Sequence, residues 1–173
     1  SGNWIVTKYQ KANGTAVVPA VSKLVQRVEA TPYTTYTSFT TTIPFDDTIP
    51  QNTEGTEIIT VAITPTNVSN RLKIYLVAPM VNGNAGGTTV VAALFQDSTA
   101  NALAVGLETI DSIDRTHPIV FTYEMAAGTI SSITFKVRFG ISFGTTGYLN
   151  GSTTARIFGG VSAVRLWVEE IAV

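Results

Sequence analysis

From Ile133 to Phe143 the chain reads I-T-F-K-V-R-F-G-I-S-F. Ile133, Phe135, Val137, Phe139, Ile141 and Phe143 alternate with Thr134, Lys136, Arg138, Gly140 and Ser142. Successive side chains on a strand point to opposite faces, so the pattern predicts a strand with all six large apolar groups on one buried face. On a helix the same six would be scattered around the circumference. Gly140 is a place where such a strand can kink. One buried face and one polar face is the habit of antiparallel sheets.

The same period recurs along the chain. Ile119, Phe121, Tyr123 and Met125 alternate with Val120, Thr122 and Glu124. Further strands are predicted over Trp4–Gln10, Val17–Val28, Tyr33–Ile43, Glu57–Thr64, Arg71–Ala78, Thr88–Gln96 and Ala102–Glu108, with a short one at Tyr148–Gly151. Gly, Pro, Asn and Asp punctuate them: Asn13-Gly14, a loop over Pro44–Gly55, Pro65-Thr66-Asn67, a hairpin tip at Asn82–Gly87, a turn at Asp97–Asn101 and a polar loop at Asp111–Pro118. About ten strands at roughly 8–15-residue spacing, with no convincing helix, predict a single all-β antiparallel domain, a sandwich or a jelly roll.

The final strand differs from the others. Val164, Leu166 and Val168 alternate with Arg165, Trp167 and Glu169, and Ile171 follows. Large apolar groups therefore stand on both faces, as in a strand that is central or packed against another subunit. Val164, Leu166, Trp167, Val168 and Ile171 are the expected oligomer contacts, and a homotrimer would cover both the apolar face and the free sheet edges.

Composition narrows the function. The chain has 173 residues, enough for one domain with a sizeable core, and only 13% of them are charged, about half the usual share. A net charge of −1 argues against a binder that tracks nucleic-acid phosphates. The absence of cysteine excludes disulfides and zinc–thiolate sites. No apolar run approaches the roughly 20 residues a membrane span requires. Ser1-Gly2-Asn3 reads as a tag remnant or as the start of a piece cut from a longer chain.

No arrangement in the sequence points to catalysis. The single histidine, His117, precedes Pro118 in a polar loop and reads as solvated or hydrogen-bonded there. No G-x-S-x-G elbow is present. Glu169 and Glu170 fall on opposite faces of one strand and make a poor hydrolytic pair. Asp46 with Asp47, and Asp111 with Asp114, could hold Ca²⁺, but neither fits an EF-hand and turn chemistry explains both, so no metal and no cofactor is expected. The sequons at Asn13, Asn67 and Asn150 are of the kind an Asn/Thr/Gly-rich chain produces by chance. Sugar sites combine an aromatic face with amides and charged hydrogen-bonders on loops. Tyr148 with Asn150 and Arg156, and the tip formed by Gln96, Asp97 and Asn101, have that composition.

Several segments in order carry a resemblance: I-P-F-D-D-T-I-P-Q-N-T-E-G (Ile43–Gly55), I-T-P-T-N-V-S-N-R-L (Ile63–Leu72), A-L-F-Q-D-S-T-A-N-A-L-A (Ala93–Ala104), A-G-T-I-S-S-I-T-F-K-V-R-F-G (Ala127–Gly140), then Y-L-N-G, R-I-F-G-G and a terminal E-I. Together they resemble the C-terminal domains of tailed-bacteriophage virion proteins such as tail fibres and tail spikes, over roughly Ala30 to Ile171. The resemblance implies a tumour-necrosis-factor-like jelly roll over residues 30–173, assembled as a trimer, after a strand or junction segment at 1–29. It implies a place on the virion, on the tail or the capsid surface, among other phage virion proteins. The implied role is binding of host-surface polysaccharide or capping of a fibre. The alternative is a trimeric capsid decoration protein, and a depolymerase is the third and weakest reading.

Overall fold

The computed structural model describes residues 23–173. The strands predicted at Trp4–Gln10 and over the first part of Val17–Val28, with the Asn13-Gly14 turn, lie outside the described residues.

Ten strands follow in chain order: β1 (Lys23–Glu29), β2 (Thr37–Phe39), β3 (Thr56–Ile63), β4 (Arg71–Gly83), β5 (Thr89–Gln96), β6 (Ala104–Thr109), β7 (His117–Ala126), β8 (Ile133–Phe143), β9 (Gly147–Leu149) and β10 (Arg165–Ala172). They form a four-stranded sheet, β3-β8-β5-β6, and a six-stranded sheet built on β4. Both β10 and β7 pair with Arg71–Val77 of β4, and both β9 and β7 pair with Val81, so β10 and β9 share one edge of β4 while β7 takes the other. Outside them, β1 pairs with β10 and β2 with β9. Every pairing between these strands is antiparallel, and the two sheets stack as a jelly-roll sandwich. The end of the predicted 1–29 segment is thus an edge strand of the same sandwich.

The core lies between the sheets. Ile133, Phe135, Val137, Phe139 and Ile141 of β8 are buried against Leu72, Ile74 and Leu76 of β4 and against Val164, Leu166 and Val168. Phe143 breaks the predicted set, with 54% of its surface exposed. A register shift between Thr89 and Val90 passes over Ser142 of β8, and such a bulge re-aims the next side chain, here against Phe45 on the outside. Gly140 does not kink the strand. A Cβ there would come within 2.7 Å of the Ile43 side chain and 3.0 Å of its backbone nitrogen. Its bareness lets the Pro44–Gly55 loop strap itself across the outer face of β5 and β8, where Ile43, Val91, Ala93 and Phe95 make a second small core.

Three boundaries move. β4 runs on to Gly83 because Pro79, which reads as a terminator, is exposed and falls in the irregularity between Ala78 and Val81, where no ladder hydrogen bond is required of it. The hairpin tip therefore begins after Gly83, and Asn82 is a buried strand residue. His117 begins β7, with Nε2 at 3.2 Å from Asp111 Oδ1 and Nδ1 at 3.8 Å from Glu108 Oε2. Tyr33–Ile43 is strand only at Thr37–Phe39, with single bridges from Tyr33 to Val164 and from Thr42 to Ile141.

The pairings give the molecule two ends. Lys23 lies opposite Ala172, and Arg71 opposite Ala126, at the base. Gly83 lies opposite Gly147 at the tip, where the Asp111–Thr116 and Gly151–Ser162 loops also emerge.

Candidate functional site

The two predicted polar groups fall at opposite ends. Gln96, Asp97 and Asn101 lie at the base, and each makes a side-chain hydrogen bond within the chain. Asp97 Oδ1 accepts from Thr134 N at 2.8 Å, Asp97 Oδ2 from Gln96 Nε2 at 3.4 Å, and Asn101 Oδ1 from Gln51 Nε2 at 3.1 Å. Beside them is a hollow of about 270 Å³ lined by Asn52, Glu57, Phe95, Asp97, Ser98, Lys136 and Arg138. Arg138 donates to the carbonyls of Glu54 and Gly55 at 2.6 and 2.8 Å and sits 3.5 Å from Glu57, so the cluster pins the end of the strap and holds few unspent groups.

The tip is different. Tyr148 projects from β9 opposite Ser38, on the outer face, while its neighbour Leu149 is buried in the core. Tyr36, just before β2, stacks on it with ring centroids 6.1 Å apart and planes 4° from parallel. Asn150 holds the pair together rather than facing solvent. It is fully buried, and its backbone takes the left-handed φ of 59° that asparagine tolerates. Its Nδ2 donates to the carbonyls of Tyr33 at 2.7 Å and Thr35 at 3.1 Å, which fixes the segment bearing Tyr36 beside the turn after β9. Asn150 is therefore a positioning residue and cannot touch a ligand, and its sequon is equally inaccessible. Gly151 completes the support, since a Cβ there would lie 2.6 Å from the Tyr36 ring and 2.4 Å from the Ala155 carbonyl.

Arg156 bridges back to Gly151 and lies against Gly160. It is exposed, and its side chain has neither an ion-pair nor a hydrogen-bond partner among the described residues. The two tyrosine hydroxyls likewise have no partner there. Burial, then the neighbouring Tyr148, pushes the Tyr36 hydroxyl above its ordinary pKa, so at neutral pH it remains a donor. Directly opposite Tyr148 in register is Asn82, which is fully buried like Asn150 and, although its Nδ2 has no acceptor among the described residues, cannot meet a ligand. The tip thus gathers an aromatic platform, a guanidinium and several unspent donors.

The outer face nearer the base carries a second aromatic pair. Tyr75 stacks on Trp167 at 4.9 Å and 8°, and the Arg27 guanidinium caps the indole at 4.7 Å. Charges surround it: Arg27 with Glu29 and Glu169, Arg165 with Glu29, and Arg71 and Lys73 with Glu124. Of the expected oligomer contacts, Val164, Leu166 and Val168 are fully buried in the protomer's own core and cannot reach a partner. Trp167 and Ile171 remain on the outer face, and the buried Trp167 Nε1 lacks an acceptor among the described residues.

Sequence reading missed Glu170. It occupies the inward set after Val164, Leu166 and Val168 and is fully buried. Its carboxylate accepts from Gln26 Nε2 (2.6 Å), Asn70 Nδ2 (2.6 Å), Thr66 N (2.8 Å) and Thr66 Oγ1 (2.8 Å). Burial alone would raise its pKa, but those hydrogen bonds outweigh it and hold the group at about 2. An acid at the one polar step of an apolar inward series was the available signal. The expected turn chemistry is present at Asp46, where Oδ1 accepts from Thr48 N at 2.9 Å and from the Thr48 hydroxyl, lowering its pKa. Asp114 does the same with the Thr153 hydroxyl and amide, tying the two tip loops together. Among the described residues no group of three or more His, Asp or Glu side chains is arranged to hold a metal ion.

No protein-family model matches the chain, and no curated protein matches it. Among solved structures, it is similar to an Eiger tumour necrosis factor from S. frugiperda, with a TM-score of 0.48 and 9% identity over 84% of this chain and 93% of that one. It is also similar to a CBM4 structure, with a TM-score of 0.39 and 13% identity over 68% of each chain.

Proposed function

We propose that the protein is a trimeric receptor-binding domain of a bacteriophage tail fibre or spike, and that it takes host-surface carbohydrate at the tip. The observation that carries the binding role is the stacked Tyr36–Tyr148 pair set among unspent donors. Pyranose rings present C–H faces that pack on aromatics, while their hydroxyls need donors and acceptors at the rim. Among the described residues the Tyr36 and Tyr148 hydroxyls and the Arg156 side chain have no hydrogen-bond partner. The phage assignment rests on the ordered motifs from Ile43 to the terminal E-I.

The trimer is supported by the outer face around Tyr75 and Trp167. Aromatic and arginine side chains favour the centres of interfaces. An indole N–H that is buried without an acceptor in the protomer gains one if a second copy supplies a carbonyl or carboxylate. The interface would centre on Trp167, with the Tyr36–Tyr148 platform at its margin.

Two measurements on the full chain test the reading. Native mass should give three copies, and an array of bacterial surface polysaccharides should show binding. A chain that stays single at high concentration rejects the trimer. Silence across the array, with binding to purified phage heads instead, rejects the receptor role in favour of capsid decoration.

A further inference from the structure

We infer that the saccharide taken at the tip is acidic, and that its carboxylate pairs with Arg156. This rests on the carbohydrate reading of the Tyr36–Tyr148 platform. Every other arginine of the chain meets a carboxylate: Arg27 and Arg165 meet Glu29, Arg71 meets Glu124, Arg115 meets Asp111 and Arg138 meets Glu57. Only Arg156 is left without one among the described residues. The nearest acid along these loops, Asp114, directs its Oδ1 to the Thr153 amide and hydroxyl, three residues before Arg156.

The backbone of Arg156 is tied to the segment that supports the platform, and its guanidinium lies over Gly160. Its residue bridges to Gly151, and Gly151 is the glycine on which the Tyr36 ring lies. A planar fork of N–H donors matches a carboxylate in two parallel hydrogen bonds, which are roughly twice as strong as neutral ones. The remaining unspent groups agree in kind. The Tyr36 and Tyr148 hydroxyls, which can donate as well as accept, are free to meet ligand oxygens beside the carboxylate. A hexuronic acid combines the three requirements of one apolar ring face, several hydroxyls and one carboxylate.

The test compares one polysaccharide with its uncharged counterpart. The full chain is titrated with a uronate-containing bacterial polysaccharide from the array and with the same material after reduction of its carboxyl groups to alcohols. Wild-type binding should weaken about tenfold or more on reduction. Arg156→Gln should lose a similar factor on the acidic form only, and Arg156→Lys should recover part of it. Both variants should melt with the wild type, since the side chain is exposed and unpartnered. Raising salt should weaken the wild type and leave Arg156→Gln nearly unchanged. Equal binding of the acidic and reduced forms, or of wild type and Arg156→Gln, overturns the acidic-ligand inference while the carbohydrate reading stands. Absence of binding to every polysaccharide, acidic or neutral, overturns both.

Discussion

Two stacked aromatic pairs stand on the outer face of the same sheet, and they differ in their surroundings rather than in their geometry. Tyr75 and Trp167 lie between Arg27, Glu29, Glu169, Lys73 and Glu124, and the Tyr75 hydroxyl donates to Glu169 at 3.2 Å. Almost every polar atom around them is spent. Tyr36 and Tyr148 are supported from behind by Asn150 and Gly151, and their hydroxyls have no hydrogen-bond partner among the described residues. Stacking alone therefore identifies neither a ligand site nor an interface. The hydrogen bonds left unmade around it discriminate: one orphaned N–H at the first pair suits a flat protein partner, and a set of donors at the second suits a small polar ligand.

The contrast can be broken in several places. Both pairs depend on the register of β10 and its neighbours, and Glu170 ties that strand to β1 and to the Thr66–Asn70 turn. Glu170→Ala removes the acceptor of five donors, the Asn67 amide at 3.3 Å included, and should cost roughly 3–5 kcal/mol in urea unfolding. A loss below about 1 kcal/mol would mean that the register is held elsewhere. Trp167→Ala should next cost roughly 2 kcal/mol or more in subunit association, read by sedimentation equilibrium. An unchanged mass distribution would remove Trp167 from the proposed interface.

Smaller effects separate the pairs further. Tyr148→Ala should weaken polysaccharide binding about tenfold while changing unfolding by about 1 kcal/mol or less and leaving the mass unchanged. Dissociation of the oligomer by this variant would assign both pairs to one interface and end the distinction. Acid gives the mildest probe. The Glu170 pKa lies below its unfolded value, so its stabilisation is complete above about pH 5 and fades as pH falls toward 2. Urea midpoints at pH 7, 4 and 3 should decline in the wild type and decline less in Glu170→Gln. Parallel declines would place the acid sensitivity in other carboxylates.

Elements with strict alternation were legible in advance. β8, β7 and β3 follow their apolar periods, and β10 is recognisable as apolar on both faces. What alternation could not reveal was which outward groups another part of the chain would cover. The run Thr89–Phe95 is buried on both faces because the Pro44–Gly55 strap crosses it, and nothing local in either segment announces the other. The tip was half legible. Tyr148 and Arg156 stand out by residue type, but Tyr36 sits in a Thr-rich stretch far away in sequence and joins them through the β2–β9 pairing and the Asn150 hydrogen bonds. Asn150 was misread because an amide looks the same in sequence whether it faces a ligand or braces a turn. The left-handed backbone decides between the two, and it emerges only in three dimensions.

The direct opposition of Lys23 and Ala172 across the β1–β10 ladder has a practical corollary. Where two chain positions are already neighbours, a short glycine-rich bridge can join them without distorting either strand. With the residues before Lys23 removed, a sandwich sewn together there and reopened within Asn84–Gly87 would keep every strand intact while its new ends emerged beside the tyrosine pair.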